Sequence, residues 1–283
     1  MTASGAPGTL VLCHANGFPG STYRVLFEVW RQAGWKVLAP EKLGHDPARP
    51  PRSGWSALRD ELIDFIEREA AAAPSQPVVM VGHSMGGYLS LLVASKRPDL
   101  VRAVVLLDAP ILAGWRAPAF GLLKWSGMIH RGGPGRVSAR RRQHWPSRQA
   151  ALQHFGDKRA FQRFDPRVLS DYLHHGLVDE EAEGGVRLAF DRDIETAIYN
   201  TVPHHVPALL QRRPLRCPVV FIAGRHSREN RQLGLAFVRR LAGANWRWIE
   251  GSHLFPFERP EESAQAVLSL LAQAWRPGPA GNK

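Results

Sequence analysis

The pentapeptide Gly82-His-Ser-Met-Gly86 sets a serine between two glycines, directly after the apolar run Val78-Val-Met-Val81. A strand that turns straight into a helix forces the residue at the turn into strained backbone geometry. Flanking glycines let the chain pass close by. Ser84 then stands exposed at a helix N-terminus, where free N–H groups and the helix dipole favour a developing anion. The same residues also fit a glycine-rich turn with an incidental serine, but the strand before and the small-residue helix after favour a nucleophile. A serine hydroxyl attacks poorly near neutral pH unless a base takes its proton. Of the 12 histidines, His253 is placed for that task. It sits in Glu250-Gly-Ser-His-Leu-Phe-Pro256, just past the last strand-like run and so at the same sheet edge as Ser84.

The elements that must hold these groups follow from the apolar pattern. Short buried runs at Thr9–Cys13, Trp35–Pro40, Val78–Gly82, Ala103–Leu107, Pro218–Ala223 and Trp246–Glu250 read as strands. Between them lie stretches of helical periodicity: 22–33, 56–72, 88–96, 230–241 and 261–274. This alternation predicts an α/β fold, a mostly parallel sheet of about six strands flanked by helices. The rhythm stops after Pro110 and resumes near Arg216. Residues 111–213 therefore read as an inserted helical lid with no strand series, and 1–110 with 214–283 as the core. Helix-compatible pieces in the insertion are 147–154, 166–175 and 193–199.

Composition narrows the class. Of 283 residues, 44% are hydrophobic and 22% charged, as in a globular domain large enough for a sizeable core. The two cysteines, Cys13 and Cys217, read as separate buried thiols. No apolar run reaches membrane-spanning length, and the start of the chain lacks a basic and apolar leader pattern, so a cytoplasmic protein without a membrane span is expected. Both ends, 1–8 and 276–283, read as disordered. The net charge is +12, yet no aromatic-and-basic recognition motif accompanies it, so nucleic acid is not the expected partner. No acidic residue occurs between Asp108 and Asp157, where Arg131, Arg136, Arg140, Arg141, Arg142 and Arg148 cluster. That run reads as a solvated face or as a site favouring an anionic substrate.

The order of strand, His14-Ala-Asn-Gly-Phe-Pro-Gly20 loop, Gly-His-Ser-Met-Gly elbow, long insertion and late Gly-Ser-His-Leu-Phe-Pro resembles the α/β-hydrolase superfamily. The resemblance covers the chain apart from the insertion. It implies a serine-nucleophile, esterase- or lipase-like member, with an oxyanion hole formed by the backbone N–H groups of Phe18 and Met85. Superfamily members usually carry their acid a few residues past the strand before the last one. Here that stretch reads Gly224-Arg-His-Ser-Arg-Glu229, and the acid's position is held by Ser227. Two acids remain: Asp108, ending the strand after the nucleophile's strand and helix, and Glu229, two residues late. Asp108 is preferred, because strand ends on one edge of a parallel sheet converge on one crevice.

The chemistry expected is acyl transfer to Ser84, with no metal or organic cofactor, on a small-molecule ester-type substrate. Carboxylesterase is the default; thioesterase, lactonase and carbon–carbon bond hydrolase reuse the same residues. A binding protein of the same fold without turnover is the reading from another class. The insertion's Trp115, Phe120, Leu122, Leu123, Trp125, Trp145 and Phe155 are set either to line an apolar acyl pocket, Trp115 and Trp125 foremost, or to form the lid's own core. Oligomeric state is not legible.

Overall fold

In a computed structural model that describes residues 8–70, 76–131, 133–180 and 184–275, the apolar runs become a six-stranded sheet. Its first part comprises β1 (Thr9–Cys13), α1 (Arg24–Gln32), β2 (Lys36–Leu38), α2 (Ser56–Ala70), β3 (Val78–His83), α3 (Met85–Lys96) and β4 (Val101–Leu107). The insertion follows with α4 (Arg116–Trp125), α5 (Gly133–Ala139), β5 (His144–Trp145), α6 (Arg148–Gly156) and α7 (Pro166–His175). It continues through β6 (Leu177–Asp179), β7 (Val186–Leu188), α8 (Arg192–Asn200) and α9 (Val206–Arg212). The chain then returns with β8 (Val219–Gly224), α10 (Arg228–Leu233), α11 (Ala236–Ala242), β9 (Trp246–Ile249), α12 (Phe255–Glu258) and α13 (Pro260–Ala274).

The sheet order is β2-β1-β3-β4-β8-β9, and every neighbouring pair is parallel. Successive side chains of a strand point to opposite faces, so each central strand feeds two cores. Leu10, Leu12, Val79, Val81, Val105 and Ile222 face one, with Trp30 of α1 and Val267 of α13. Val11, Met80, Val104, Leu106 and Phe221 face the other, with Leu62 of α2, Leu92 of α3 and Val238 of α11. With both faces covered, the central strands read as near-continuous apolar runs. All the strands run the same way, so the C-terminal ends of β3, β4, β8 and β9 lie along one edge of the sheet.

Two expectations need correction. The insertion is not purely helical: β5, β7 and β6 form a small antiparallel sheet in that order. Strands of two or three residues are too short to show a period of two in the sequence. The amphipathic stretch 230–241 is also two helices rather than one, because Gly234 (φ +81°) ends α10 in a conformation that a helix cannot continue. Within the insertion Trp145, Phe155, Phe161 and Tyr172 are buried together, in a cluster continuous with the core on one face of the sheet. Cys13 and Cys217 are free thiols, Cys13 fully buried. Among the described residues no helix is long and apolar enough to cross a membrane. The expected disorder at 1–8 and 276–283 falls, Gly8 apart, outside the described residues.

Candidate active site

Ser84 joins β3 to α3 with φ +52° and ψ −112°, a strained conformation for a residue with a side chain. The turn closes only because its neighbours lack one. A Cβ at Gly86 would lie 1.9 Å from the Cys13 carbonyl oxygen, and one at Gly82 2.2 Å from the Gly86 oxygen. The serine is thereby set between the end of β1 and the start of α3, with the first helical N–H groups beside it.

His253 lies in the turn between β9 and α12. Gly251 (φ +141°) opens this turn, and Glu258 holds it by accepting from the Ser252 N–H at 2.9 Å and the Ser252 hydroxyl at 2.5 Å. Ser84 Oγ–H donates to His253 Nε2 at 2.9 Å, and His253 Nδ1–H donates to Asp108 Oδ2 at 2.7 Å. A carboxylate only accepts, so it fixes the proton on Nδ1 and leaves Nε2 free to receive one. The structure thus brings together three side chains singled out in the sequence: Ser84, His253 and Asp108.

Asp108 is fully buried just past β4, at φ +41°. Its carboxylate accepts four hydrogen bonds. Gly224 N–H and Asn230 Nδ2–H reach Oδ1, both at 2.6 Å, while Ser227 Oγ–H at 2.6 Å joins His253 on Oδ2. Ser227, standing where the resemblance places an acid, instead orients the acid delivered by β4; it also caps α10. Glu229 is half-exposed; its carboxylate lies 4.0 Å from His253 Nδ1, beyond hydrogen-bond reach of that nitrogen, and accepts a long bond of 3.4 Å from Ser227 Oγ–H. Burial lowers the basicity of His253, but the bond to Asp108 and the charges of Asp108 and Glu229 outweigh it, and its pKa is raised above the usual 6.5.

The residue before Ser84 has a part that the sequence reading missed. His83 is buried, and burial, with the nearby His253, lowers its pKa to about 3, so it is neutral. Its Nε2–H donates to the His253 carbonyl at 2.9 Å, while Nδ1 accepts from the Tyr23 hydroxyl at 2.7 Å. The Ala15 N–H donates to that hydroxyl at 3.0 Å, so one chain of bonds ties the His14–Gly20 loop to the His253 turn.

The oxyanion loop is where the expectation fails in part. Met85 lines the cavity above Ser84. Phe18 does not: its N–H donates to the Ala15 carbonyl at 3.2 Å, and its ring packs against Tyr172 and Phe257. Asn16 faces the cavity instead. The loop His-Ala-Asn-Gly turns tightly at Gly17 (φ +81°), between Asn16 on the cavity wall and Phe18 off it. A glycine in a turn position was the available signal. The insertion braces this loop: Asn16 Nδ2–H donates to the Glu195 carbonyl at 3.0 Å. The Glu195 carboxylate in turn accepts from Arg141 Nη1 at 2.9 and 3.0 Å.

Beside Ser84 is a cavity of about 280 Å³, mostly apolar, lined by Trp55, Tyr88, Leu112, Phe120, Ile198 and Val202 among others. Of the insertion's aromatic candidates only Phe120 reaches it. Trp115 and Trp125 are 72% and 85% exposed and line no part of it, a correction to their expected role as pocket walls. Periodicity marks α4 as a helix but cannot say which of its sides faces inward. Among the described residues no arginine lines the cavity, and Glu229 is the carboxylate on its wall. Arg141 is largely buried against Glu195, and Arg148 pairs with Asp179 at the surface, so neither lines the cavity.

Among the described residues, Asp108, Glu229 and His253 bring possible metal-ligand atoms within 4.8 Å of one another. Their donor set does not suit a cation. Both Asp108 oxygens already accept from N–H or O–H groups, and the His253 nitrogen on that side is itself a donor.

Comparison with known proteins places this geometry in context. The model of the alpha/beta hydrolase family matches residues 10–266. The chain is similar to the sn-1-specific diacylglycerol lipase ABHD11 of Mus musculus, 22% identical over 86% of this chain and 73% of that protein. It is 29% identical to the monoglyceride lipase of Rattus norvegicus, over 39% of this chain; the match spans only 38% of that protein's length. Among solved structures, E-2-(acetamidomethylene)succinate hydrolase superposes with a TM-score of 0.71 at 18% identity, covering 95% of this chain and 92% of that one. The thioesterase domain from the curacin biosynthetic pathway gives a TM-score of 0.70 at 19% identity, covering 96% and 93%. At such identities these structures speak to the fold.

Proposed function

The chain belongs to the alpha/beta hydrolase family, and on that premise we propose that it is a serine hydrolase of carboxylic esters acting through an acyl-enzyme. The observation that carries this reading is the unbroken chain from Ser84 through His253 to Asp108, opening onto an apolar cavity. Ser84 Oγ attacks the ester carbonyl carbon as its proton passes to His253 Nε2. The N–H groups of Met85 and Asn16 receive the oxyanion, each such donor being worth roughly 3–4 kcal/mol where it has been removed elsewhere. When the tetrahedral adduct collapses, the carbon–oxygen bond to the alcohol breaks, and His253 returns its proton to that leaving oxygen. Water then attacks the acyl-enzyme with His253 again as base, releasing the acid and restoring Ser84.

The cavity supports a modest, uncharged acyl group. Its volume falls just short of the roughly 300–1,000 Å³ typical of drug-sized ligand pockets. Glu229 on its wall disfavours an acyl chain ending in a carboxylate. Similarity to lipases in sequence and to a thioesterase domain in fold supports acyl transfer generally, so esters and thioesters belong in the same test.

The test is turnover of p-nitrophenyl esters and acyl thioesters of increasing chain length, together with labelling by a fluorophosphonate serine probe. The expected outcome is a chain-length optimum among short to medium acyl groups, with the label on Ser84 and both signals lost in Ser84→Ala. Wild-type protein that neither turns over nor takes the label would mean that the pocket binds without reacting.

A further inference from the structure

Large apolar side chains left in solvent are concentrated in one place. Trp115, Leu122, Leu123, Trp125, Met128 and Val137 are 72%, 62%, 40%, 85%, 50% and 75% exposed, and all fall in the segment from the N-cap of α4 to α5. Elsewhere among the described residues only Leu152 belongs with them. Single exposed apolar residues need no explanation, whereas a contiguous patch marks an interaction surface.

The helix is not loosely laid on the protein. Lys124 Nζ–H donates to Ser53 Oγ at 2.8 Å and to the carbonyls of Val202 and Thr201 at 3.2 and 3.3 Å. Phe120 of the same helix lines the cavity beside Ser84. One side of α4 is therefore anchored over the cavity while Trp115, Leu122 and Trp125 point away from it.

The charge around the patch selects its partner. The sequence from Ala109 to Gly156 contains no carboxylate side chain, although the chain carries a net charge of +12. Arg116 on α4 stacks over the Trp115 ring at 4.9 Å, and Arg136 and Arg140 flank Val137. A second copy of the chain, paired face to face about a two-fold axis, would set these cations against each other. A bilayer surface with anionic headgroups accepts both features. Tryptophan and leucine enter the boundary between headgroups and acyl chains, and arginine and lysine stay at phosphate level.

We infer that α4 and α5 dock this protein on an anionic lipid surface. The inference rests on exposure and charge and holds whether or not Ser84 is a nucleophile.

The test is co-sedimentation of the full chain with phosphatidylcholine vesicles and with equimolar phosphatidylcholine–phosphatidylglycerol vesicles, followed also by tryptophan emission. The expected result is at least about tenfold tighter association with the anionic vesicles, with a blue shift, weakened by salt. The triple variant Trp115→Ser, Leu122→Ser, Trp125→Ser should lose about tenfold or more of that affinity while keeping its circular dichroism and its turnover of a soluble short ester. Ser84→Ala should bind as the wild type does, which separates docking from catalysis. Three results would overturn the inference: no association with either vesicle, association that the triple variant retains in full, or a dimer in sedimentation velocity that the triple variant abolishes. The last would identify the patch as a contact between copies.

Discussion

Replacing Asp108 by asparagine tests the site's wiring more sharply than removing it would. The carboxylate's Oδ1 accepts from Gly224 N–H and Asn230 Nδ2–H, and its Oδ2 from Ser227 Oγ–H and His253 Nδ1–H. An asparagine keeps one oxygen. The Gly224 N–H cannot turn away, so that oxygen stays on the Gly224 side and the new NH₂ faces His253. Nδ1 must then accept, the ring proton moves to Nε2, and Nε2 can no longer take a proton from Ser84 Oγ, 2.9 Å away. The same tautomer imposed on another serine triad lowers kcat by about 10⁴, equivalent to about 5 kcal/mol, and a loss of that order is expected here. Two controls follow from the geometry. Glu229→Gln should stay within about fivefold of wild type, because Glu229 is half-exposed and 4.0 Å from Nδ1. Asp108→Asn combined with Ser227→Asp should recover at least a hundredfold of the loss (about 3 kcal/mol), since Ser227 Oγ already lies 2.6 Å from the oxygen that holds His253. The pH profile gives a second readout. Under the proposed mechanism neutral His253 is the active form, and Asp108 raises its pKa above 6.5, so the acid limb of kcat/KM should lie above that value and move down in Asp108→Asn. Ester hydrolysis by stopped assay from pH 5 to 9 reports both. Asp108→Asn within tenfold of wild type, or Glu229→Gln as damaged as Asp108→Asn was meant to be, would refute the reasoning.

Gly86→Ala should destabilise the fold itself, because its Cβ would sit 1.9 Å from the Cys13 carbonyl oxygen. Overpacking of this kind costs about 1–3 kcal/mol, so a thermal midpoint lowered by at least about 2 °C is expected in a calorimetric melt, and an unchanged midpoint would contradict the packing. Glu195→Gln leaves the Arg141 guanidinium without its carboxylate beneath the Asn16 loop. Breaking a buried pair from one side costs about 3–5 kcal/mol where tested, so both the denaturant midpoint and kcat should fall, and a midpoint equal to wild type would dismiss the bracing role. Acidification should also weaken the protein. Burial lowers His14 to about 4 and His83 to about 3, and both must charge on unfolding below the usual 6.5. Their stabilisation is complete above 6.5 and falls as pH drops below it, by up to about 1.4 kcal/mol per pH unit for each. His253, with its raised pKa, works in the opposite sense, so the net expectation is a midpoint that falls between pH 7 and 5 in thermal melts; a rising one would exclude it.

Much of the fold was legible because each central strand is an apolar run covered on both faces, as Val79, Val81, Met80 and Val104 show by dividing between two cores. Ser84 and His253 were legible because a sharp strand-to-helix turn and a loop past the last strand leave short, ordered traces in the chain. The insertion was not, and the reasons are physical. Its strands of two or three residues carry no periodicity. Its helices have surroundings that decide which side faces in, so Phe120 and Trp125, five residues apart, end respectively on a cavity wall and in solvent. Phe18 was misplaced for a related reason. Counting along the chain assumes a loop of standard path, and Gly17 at φ +81° bends this one early.

The pairing of Asp108 with Ser227 shows what a sequence can and cannot specify about a site. Ser227 and Asp108 are 119 positions apart, yet the hydroxyl oxygen of one lies 2.6 Å from the carboxylate of the other. A histidine needs a carboxylate at one point in space, and two adjacent strand ends, β4 and β8, can each deliver it there. When the acid comes from β4, the position past β8 cannot simply be vacated, because the buried carboxylate still needs donors for its lone pairs. Serine at 227 supplies one, the Gly224 N–H and Asn230 the others, and the same hydroxyl accepts from the Asn230 N–H to start α10. An aspartate placed at 227 beside Asp108 would instead bury two like charges at contact distance. The serine is therefore the chemical counterpart of the acid on β4. A chain carrying a small hydroxyl at the position past β8 and an aspartate at the end of β4 should be read as a complete site, not as one that has lost its acid.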